Sequence, residues 1–297
     1  MYKRQNVYEK GKSETILGKL ISGSRNDLVI TSKVYFPTSN DVNARGTTRK
    51  NIMNSINESL KRLNTEYIDL YFLHRFDDMT PIEETMRVLD DLVRTGKVLY
   101  LGASNFAAWQ IAKSIGISEK NCWNRFECIQ PMYNLVKRQA EVEILPMAIS
   151  ENIGVINYSP TGGGLLSGKY AKNNQPSRGR LIENEMYKAR YNEPEMFEIA
   201  ERFTLLSKKY GHSPISLAIA WASSHPAITS PIIGGRNTEQ LKDSLNSVNI
   251  EMTTDLRQEI TDLGSNPGVA TDRNEESTEH NYGQRSVSYT HLTLPTS

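Results

Sequence analysis

Asp27-Leu28-Val29-Ile30-Thr31-Ser32-Lys33 is a short apolar run, rich in β-branched residues, that ends in a lysine. Read locally, it is a buried strand with one cation at its C-terminal tip. A lone lysine there would be an ordinary solvated strand end. The rest of the chain argues otherwise, because segments of the same kind recur at 69–74, 100–105, 128–134, 155–159 and 230–236, each ending in polar groups. Helical patterns lie between them. Strand–helix alternation with polar residues at the strand C-termini predicts an α/β fold, a parallel (β/α)8 TIM barrel carrying its site on one rim. The six predicted strands fall two short of closure. The missing pair, the first two barrel strands, is expected before Asn6.

The helices follow from period and caps. Ser13 is read as the N-cap of a helix whose apolar face is Ile16, Leu17, Leu20 and Ile21. Thr47 or Thr48 caps a second helix with a stripe of Ile52, Ile56, Leu60 and Leu63. Thr80-Pro81 opens a third, which runs through Met86, Leu89 and Val93 until Gly96 stops it. Further helices are predicted over 106–115, 139–151, 195–210, 214–224, 238–245 and 254–263, and strands over 127–133, 154–158 and 228–233. The segment from Thr161 to Pro194 is glycine-rich, then polar, and too long for an ordinary connection, which points to a functional lid.

The bulk numbers exclude several classes. A net charge of +1 gives no electrostatic case for a nucleic-acid partner. No apolar run is long enough for a membrane span, and no signal peptide opens the sequence. Cys122 and Cys128 have neither metal-like spacing nor the look of a disulfide framework, which favours a reducing, cytoplasmic setting. The five histidines are scattered, so no metal is expected. Gly163 to Lys169 fits the spacing of a phosphate-binding loop, but Tyr170 follows where a small hydroxyl would hold Mg²⁺. A nucleoside triphosphatase is therefore a poor reading, and these glycines are better read as letting backbone pass close to a dinucleotide.

The two ends look foreign. Met1-Tyr2-Lys3-Arg4-Gln5 and Val287 to Thr296 can be translated from the two strands of one short DNA string, a sequencing-library transposon adapter. The natural segment is expected to run from Asn6 to about Arg285, with true sequence missing at both ends. The expected organisation is one barrel domain over 6–264, a polar, loose segment over 265–285, and adapter-like tails at 1–5 and 286–297.

Seven motifs in order carry a family resemblance. They are Asn6-Val7-Tyr8 with Gly11-Lys12-Ser13-Glu14, the strand end at Lys33, Tyr71-Phe72-Leu73-His74, Gly102-Ala103-Ser104-Asn105-Phe106, Gln130-Pro131-Met132-Tyr133-Asn134, Tyr158-Ser159-Pro160, and Ile232-Ile233-Gly234-Gly235-Arg236. The chain resembles the aldo-keto reductases over nearly all of 6–264. That resemblance implies reversible reduction of aldehydes and ketones with NADPH. Small carbonyl or alcohol substrates are expected, with no nucleic-acid or membrane partner and an oligomeric state left open. Hydride arriving at a carbonyl carbon leaves charge on the oxygen, which needs a proton donor. A tyrosine is a poor acid at its ordinary pKa of about 10, and a nearby ammonium improves it. By resemblance Tyr8 is the donor, Lys33 its cation, and His74 the group that orients the carbonyl.

The same resemblance assigns the cofactor contacts. Ser104, Asn105 and Gln130 would hold the nicotinamide carboxamide, and Tyr158 would lie against the ring. Ser159, Leu165 and Gly168 would line the pyrophosphate path. Gly234, Gly235 and Arg236 precede a helix start, where Arg236 suits a 2′-phosphate and so NADP(H). Gln240 and Ser244 would face the adenine end. Three positions depart from the family pattern. Ser244 stands where the family often has Asn. Glu9 stands where many members have glycine, and Lys3 stands where the family has the aspartate that balances the lysine charge. The Lys3 departure implies an impaired reductase. The resemblance also leaves a second role open, because channel regulatory subunits share this architecture, keep NADPH and act by docking.

Overall fold

The computed structural model describes residues 2–3, 11–170 and 176–271. Its centre is a six-stranded, wholly parallel sheet in sequential order. The strands are β1 (Tyr2–Lys3), β2 (Ile30–Val34), β3 (Ile68–Leu73), β4 (Val98–Ser104), β5 (Phe126–Gln130) and β6 (Gly154–Val155). Between and after them come α1 (Lys12–Leu20), α2 (Arg49–Leu63), α3 (Ile82–Arg94), α4 (Ala108–Asn121) and α5 (Ile144–Ser150). The C-terminal half adds α6 (Arg180–Glu183), α7 (Glu185–Arg190), α8 (Pro194–Lys209), α9 (Pro214–Ser223), α10 (Thr238–Leu245) and α11 (Thr254–Thr261).

Alternation along each strand divides the apolar residues into two layers. Ile30 and Val34 of β2, Tyr71 and Leu73 of β3, and Leu101 and Ala103 of β4 belong to the large core shared with the helices. Leu70, Phe72, Cys128 and Ile156, with Ile232 against them, form a second, smaller cluster on the other face. That face is concave. Lys33 on β2 hydrogen-bonds Gln130 on β5, three strands away. A flat sheet would hold those strands about 14 Å apart, beyond the combined reach of the two side chains. Inside the curve, Gly102 is required: a Cβ there would collide with the Phe72 ring. Register skips at Leu101/Gly102, so one extra residue, Glu127, enters on β5.

Several expected elements differ in instructive ways. β1 adds a strand before the first predicted one and pairs with β2 at Tyr2↔Ile30 and Lys3↔Thr31. Backbone pairing needs no particular side chains, which is why residues that look foreign can extend the sheet. The N-cap of α1 is Gly11, at φ 86°, rather than Ser13, which lies inside the helix. The buried face of α1 is Glu14, Leu17 and Gly18, continued by Ile21; Ile16 and Leu20 face solvent. Glu14 is fully buried because Arg62 (2.7 Å) and the Ser32 hydroxyl (2.5 Å) satisfy its carboxylate. Thr48 caps α2 as expected, accepting from the Asn51 N–H at 3.3 Å.

The 139–151 helix is two pieces, a single turn at Gln139–Glu141 and then α5. Pro146 has no N–H to give the Val142 carbonyl, so a continuous helix cannot form across that point. The predicted strands 127–133 and 154–158 are shorter, with a lone parallel bridge at Met132↔Tyr158 beyond them. Residues 228–233 are not a regular strand. They still run beside β6, with Thr229 and Ser230 donating to the Val155 carbonyl and Ile232 to that of Asn157. Pro231 interrupts the donors. The long 161–194 segment is not structureless either: among its described residues it carries a 3₁₀ stretch (Gly162–Ser167), α6 and α7, and buries Leu165, Leu166, Leu181 and Tyr191. Ser265 and Asn266 accept from Arg138, which ties the start of the polar C-terminal segment to the body.

Candidate active site

Parallel strands put all their C-terminal ends on one rim, and the polar tips meet there. Lys33 is 1% exposed, and its ammonium donates to the Gln130 side-chain oxygen. The Phe72 ring lies 5.0 Å away, so the cation sits against an aromatic face inside the curve of the sheet. Gln130 is equally buried, and its Nε2 has no hydrogen-bond partner among the described residues. A buried amide donor left open costs stability, which is tolerable where a ligand completes it. Cys128 lies near the same charge. Burial pushes its thiol up to about 12 while Lys33 pulls the other way, so it stays protonated and is a poor nucleophile.

A second chain of bonds borders this pair. Asn105 follows β4 in the left-handed region, at φ 58°, a conformation asparagine tolerates better than most residues. Its amide nitrogen donates to the His74 carbonyl at 2.9 Å and to the Ser104 hydroxyl at 3.1 Å. Its amide oxygen accepts from the Tyr158 hydroxyl at 2.8 Å. Ser104 in turn donates to the Gln130 carbonyl at 3.0 Å. His74 follows β3, anchored by its N–H to the Val34 carbonyl, with its ring edge-on to Phe36 at 4.6 Å. Burial raises the Tyr158 phenol, countered by the charge of Arg190. The tips of β2, β3, β4, β5 and the Tyr158 bridge thus form one connected polar cluster. Tyr8 lies outside the described residues.

The remaining predicted contacts divide. Ser159 sits at φ 57° beside Tyr158, and its carbonyl accepts from Asn134 at 3.0 Å. Leu165 is fully buried in the core. Gly168 is exposed at φ 77°. Gly234, Gly235 and Arg236 are exposed ahead of α10. There Asn237 accepts from the Gln240 N–H at 2.9 Å, and Gln240 returns its side-chain oxygen to the Arg236 N–H at 3.1 Å. This reciprocal cap occupies the Gln240 side-chain oxygen. The Arg236 guanidinium lies 3.8 Å from Glu183, with both side chains largely exposed. Ser244 is 4% exposed and donates back to the Gln240 carbonyl at 3.2 Å, a bond serines commonly make inside helices.

Sequence reasoning missed the contacts from α7. Tyr191 is buried, its hydroxyl accepting from Asn134 at 3.3 Å and donating to the Met132 sulfur at 3.6 Å. Tyr187 and Tyr191 pack on Gly163, where a Cβ would meet their rings at 2.8 and 3.1 Å. The only local signal is the i, i+4 spacing of the two tyrosines.

The aldo/keto reductase family model matches residues 6–264. This chain belongs to the aldo/keto reductase family. It is 36% identical over 279 residues to the oxidoreductase YrpG of Bacillus subtilis (strain 168), covering 90% of this chain and 83% of that relative. The versiconal hemiacetal acetate reductase of Aspergillus parasiticus is 33% identical over 274 residues, 84% of this chain and 78% of the relative. A protein of Arabidopsis thaliana named as a probable voltage-gated potassium channel subunit beta is 34% identical over 254 residues, 82% and 76% respectively. The residues present fit the nicotinamide cofactor such a family uses. A carboxamide offers one acceptor and two donors, and Gln130 Nε2 is a buried donor waiting for an acceptor.

Proposed function

We propose that the protein is a cytoplasmic, NADPH-dependent carbonyl reductase on an incomplete (β/α)8 barrel, acting reversibly on small aldehydes, ketones or alcohols. The observation that carries this reading is the buried Lys33–Gln130 pair with its open amide donor, in a chain of this family. Gln130 Nε2 meets the carboxamide oxygen of the cofactor, and Tyr158 faces its ring. The Ser104–Asn105 bonds fix both. Ser159, the backbone at Leu165, Gly168 and the Gly234–Arg236 approach to α10 hold the phosphates, and Arg236 favours a 2′-phosphate. Gln240, whose side-chain oxygen caps α10, and Ser244 face the adenine end.

NADPH supplies a hydride to the carbonyl carbon when bound. The chain's own residues handle the proton. Tyr8 gives its phenolic proton to the carbonyl oxygen, and Lys33 stabilises the phenolate that remains. His74 orients the carbonyl oxygen. Its backbone is clamped from both sides by Val34 and Asn105. Lys3 stands where the family pattern has an aspartate, so a cation replaces the carboxylate that balances the Lys33 charge, and turnover is low. The test is NADPH oxidation with an aldehyde panel, comparing this chain with Lys3→Asp. The reading predicts slow turnover that rises at least tenfold in the variant. It fails if neither protein oxidises NADPH with any aldehyde.

A second reading rests on the relatives named as potassium channel beta subunits, 34% and 32% identical to this chain. On it, the bound nucleotide serves docking rather than turnover. NADPH binding without turnover in Lys3→Asp, together with retention on an immobilised channel domain, would favour it.

A further inference from the structure

The basic residues of the 176–194 segment form an arrangement that the proposed reaction does not use. Arg180, at the start of α6, and Arg190, at the end of α7, both direct their guanidinium groups to one ring, that of Tyr187, at 5.0 and 5.2 Å from its centroid. Their charges therefore lie within about 10 Å of each other, close to one screening length in physiological salt. Among the described residues, neither has a carboxylate within ion-pair distance; Glu183, the nearest acid in sequence to Arg180, is engaged by Arg236. The Tyr187 ring rests on Gly163 at the turn of three consecutive positive-φ glycines, Gly162–Gly164. Arg190 directly precedes Tyr191, whose hydroxyl accepts from Asn134, and Asn134 also donates to the Ser159 carbonyl, so Arg190 lies beside the Tyr158–Ser159 end of the polar cluster.

We infer that Arg180 and Arg190, bracketing Tyr187 over the Gly162–Gly164 turn, form an oxyanion-binding site that takes a carboxylate or phosphate group at the mouth of the cleft. Two planar forks and a phenolic hydroxyl around one ring suit a group with several acceptor oxygens. The glycine turn lets the Tyr187 ring, and with it the two guanidinium groups, seat directly on the backbone at Gly163. The oxyanion has two chemical sources. One is a phosphate of the dinucleotide; the other is an anionic substituent on the carbonyl substrate. The second source rests on the reductase reading; the site itself does not.

Inorganic pyrophosphate, titrated calorimetrically into the protein alone, tests the site without cofactor or turnover. Arg190→Met is expected to weaken binding about tenfold, Arg180→Met by a smaller factor, and Arg190→Lys to recover part of the loss. Equal thermal midpoints for the variants show that the fold is retained. The proposal is overturned if Arg190→Met binds pyrophosphate as the parent does, or if the parent does not bind it at millimolar concentration. Two further arms assign the source. A tenfold loss of NADPH affinity in Arg190→Met supports the site and names the cofactor phosphate. Unchanged NADPH affinity, with the NADPH complex preferring benzoate over benzamide only while Arg190 is present, supports it and names the substrate. If NADPH does not bind the parent at all, the reductase reading fails, while the pyrophosphate titration still decides the site.

Discussion

Two buried polar clusters lie on either side of Gln130–Asn134, and they are built on opposite rules. On the rim side, Lys33 and Gln130 share one hydrogen bond, and the Gln130 amide donor is left open. On the other side, Glu141 is gripped by Arg138 at 2.9 and 3.0 Å and by the Tyr133 hydroxyl at 2.7 Å. Arg257 donates to the Trp221 carbonyl at 2.7 Å and to the Ser224 hydroxyl, and its guanidinium lies 5.3 Å from the Trp221 ring. Tyr133 stacks on Trp221, and Trp221 donates to Thr261. That second network is closed: each charge has its hydrogen bonds, and it locks α9 and α11 to the loop after β5. Function is to be sought on the open side. A satisfied ionic network holds the fold, whereas an open donor at a strand tip sacrifices stability for a ligand.

Substitutions that separate activity from stability put this contrast to the test. Lys33→Met is expected to lower hydride transfer by roughly a hundredfold or more, the scale of losing acid–base assistance. Its thermal midpoint should hold or rise, because a buried cation is replaced by an apolar chain of similar length. Loss of both activity and stability would place Lys33 with the structural network instead. Glu141→Ala should do the reverse. It leaves Arg138 and the Tyr133 hydroxyl buried without their acceptor, which costs about 3 kcal/mol in denaturant unfolding, while nucleotide affinity stays within a few-fold.

The pH response distinguishes the two clusters further. His225 is buried edge-on to Tyr133 at 5.6 Å, and its Nδ1 accepts from the Ala227 N–H. Burial, then Arg257 and Arg138, holds its pKa down to about 4, with Glu141 opposing. A histidine kept neutral in the fold but free to protonate when unfolded contributes its stability above the ordinary pKa of about 6.5. That stability is lost as pH falls from about 6.5 towards 4, by at most on the order of 3 kcal/mol. His225→Asn should flatten that part of the stability–pH curve. A curve unchanged by the substitution would remove His225 from the network. A smaller effect is expected from Tyr158→Phe, which frees the Asn105 oxygen: a few-fold change in nucleotide affinity, with no change in unfolding midpoint.

The rim is legible in the sequence because each contributor announces itself locally. A β-branched run ending in Lys33 and an apolar run ending in Ser104-Asn105 read as strand tips from local pattern alone, whereas the strand predicted over 127–133 ends earlier, at Gln130. The closed network is illegible because its partners are far apart in the chain: Arg257 reaches the Tyr133 hydroxyl, at 3.5 Å, only once α11 packs on the β5 loop. The same holds for Arg180 and Arg190, whose shared ring depends on how α6 and α7 fold over Gly163. Local pattern also misleads. Ile16 and Leu20 look like one side of a helix face, but the buried carboxylate of Glu14 rotates α1 so that Leu17 and Ile21 go in and they stay out. A charged residue at a core position carries no hydrophobic signal, so periodicity cannot find it.

The decisive measurement is a crystal structure of the protein with NADP⁺ bound. The nicotinamide is expected against Tyr158, with its carboxamide oxygen within hydrogen-bond reach of Gln130 Nε2 and Lys33 close beneath the reacting edge. A nucleotide bound elsewhere, or a Gln130 Nε2 that still makes no hydrogen bond in the complex, would overturn the proposed site.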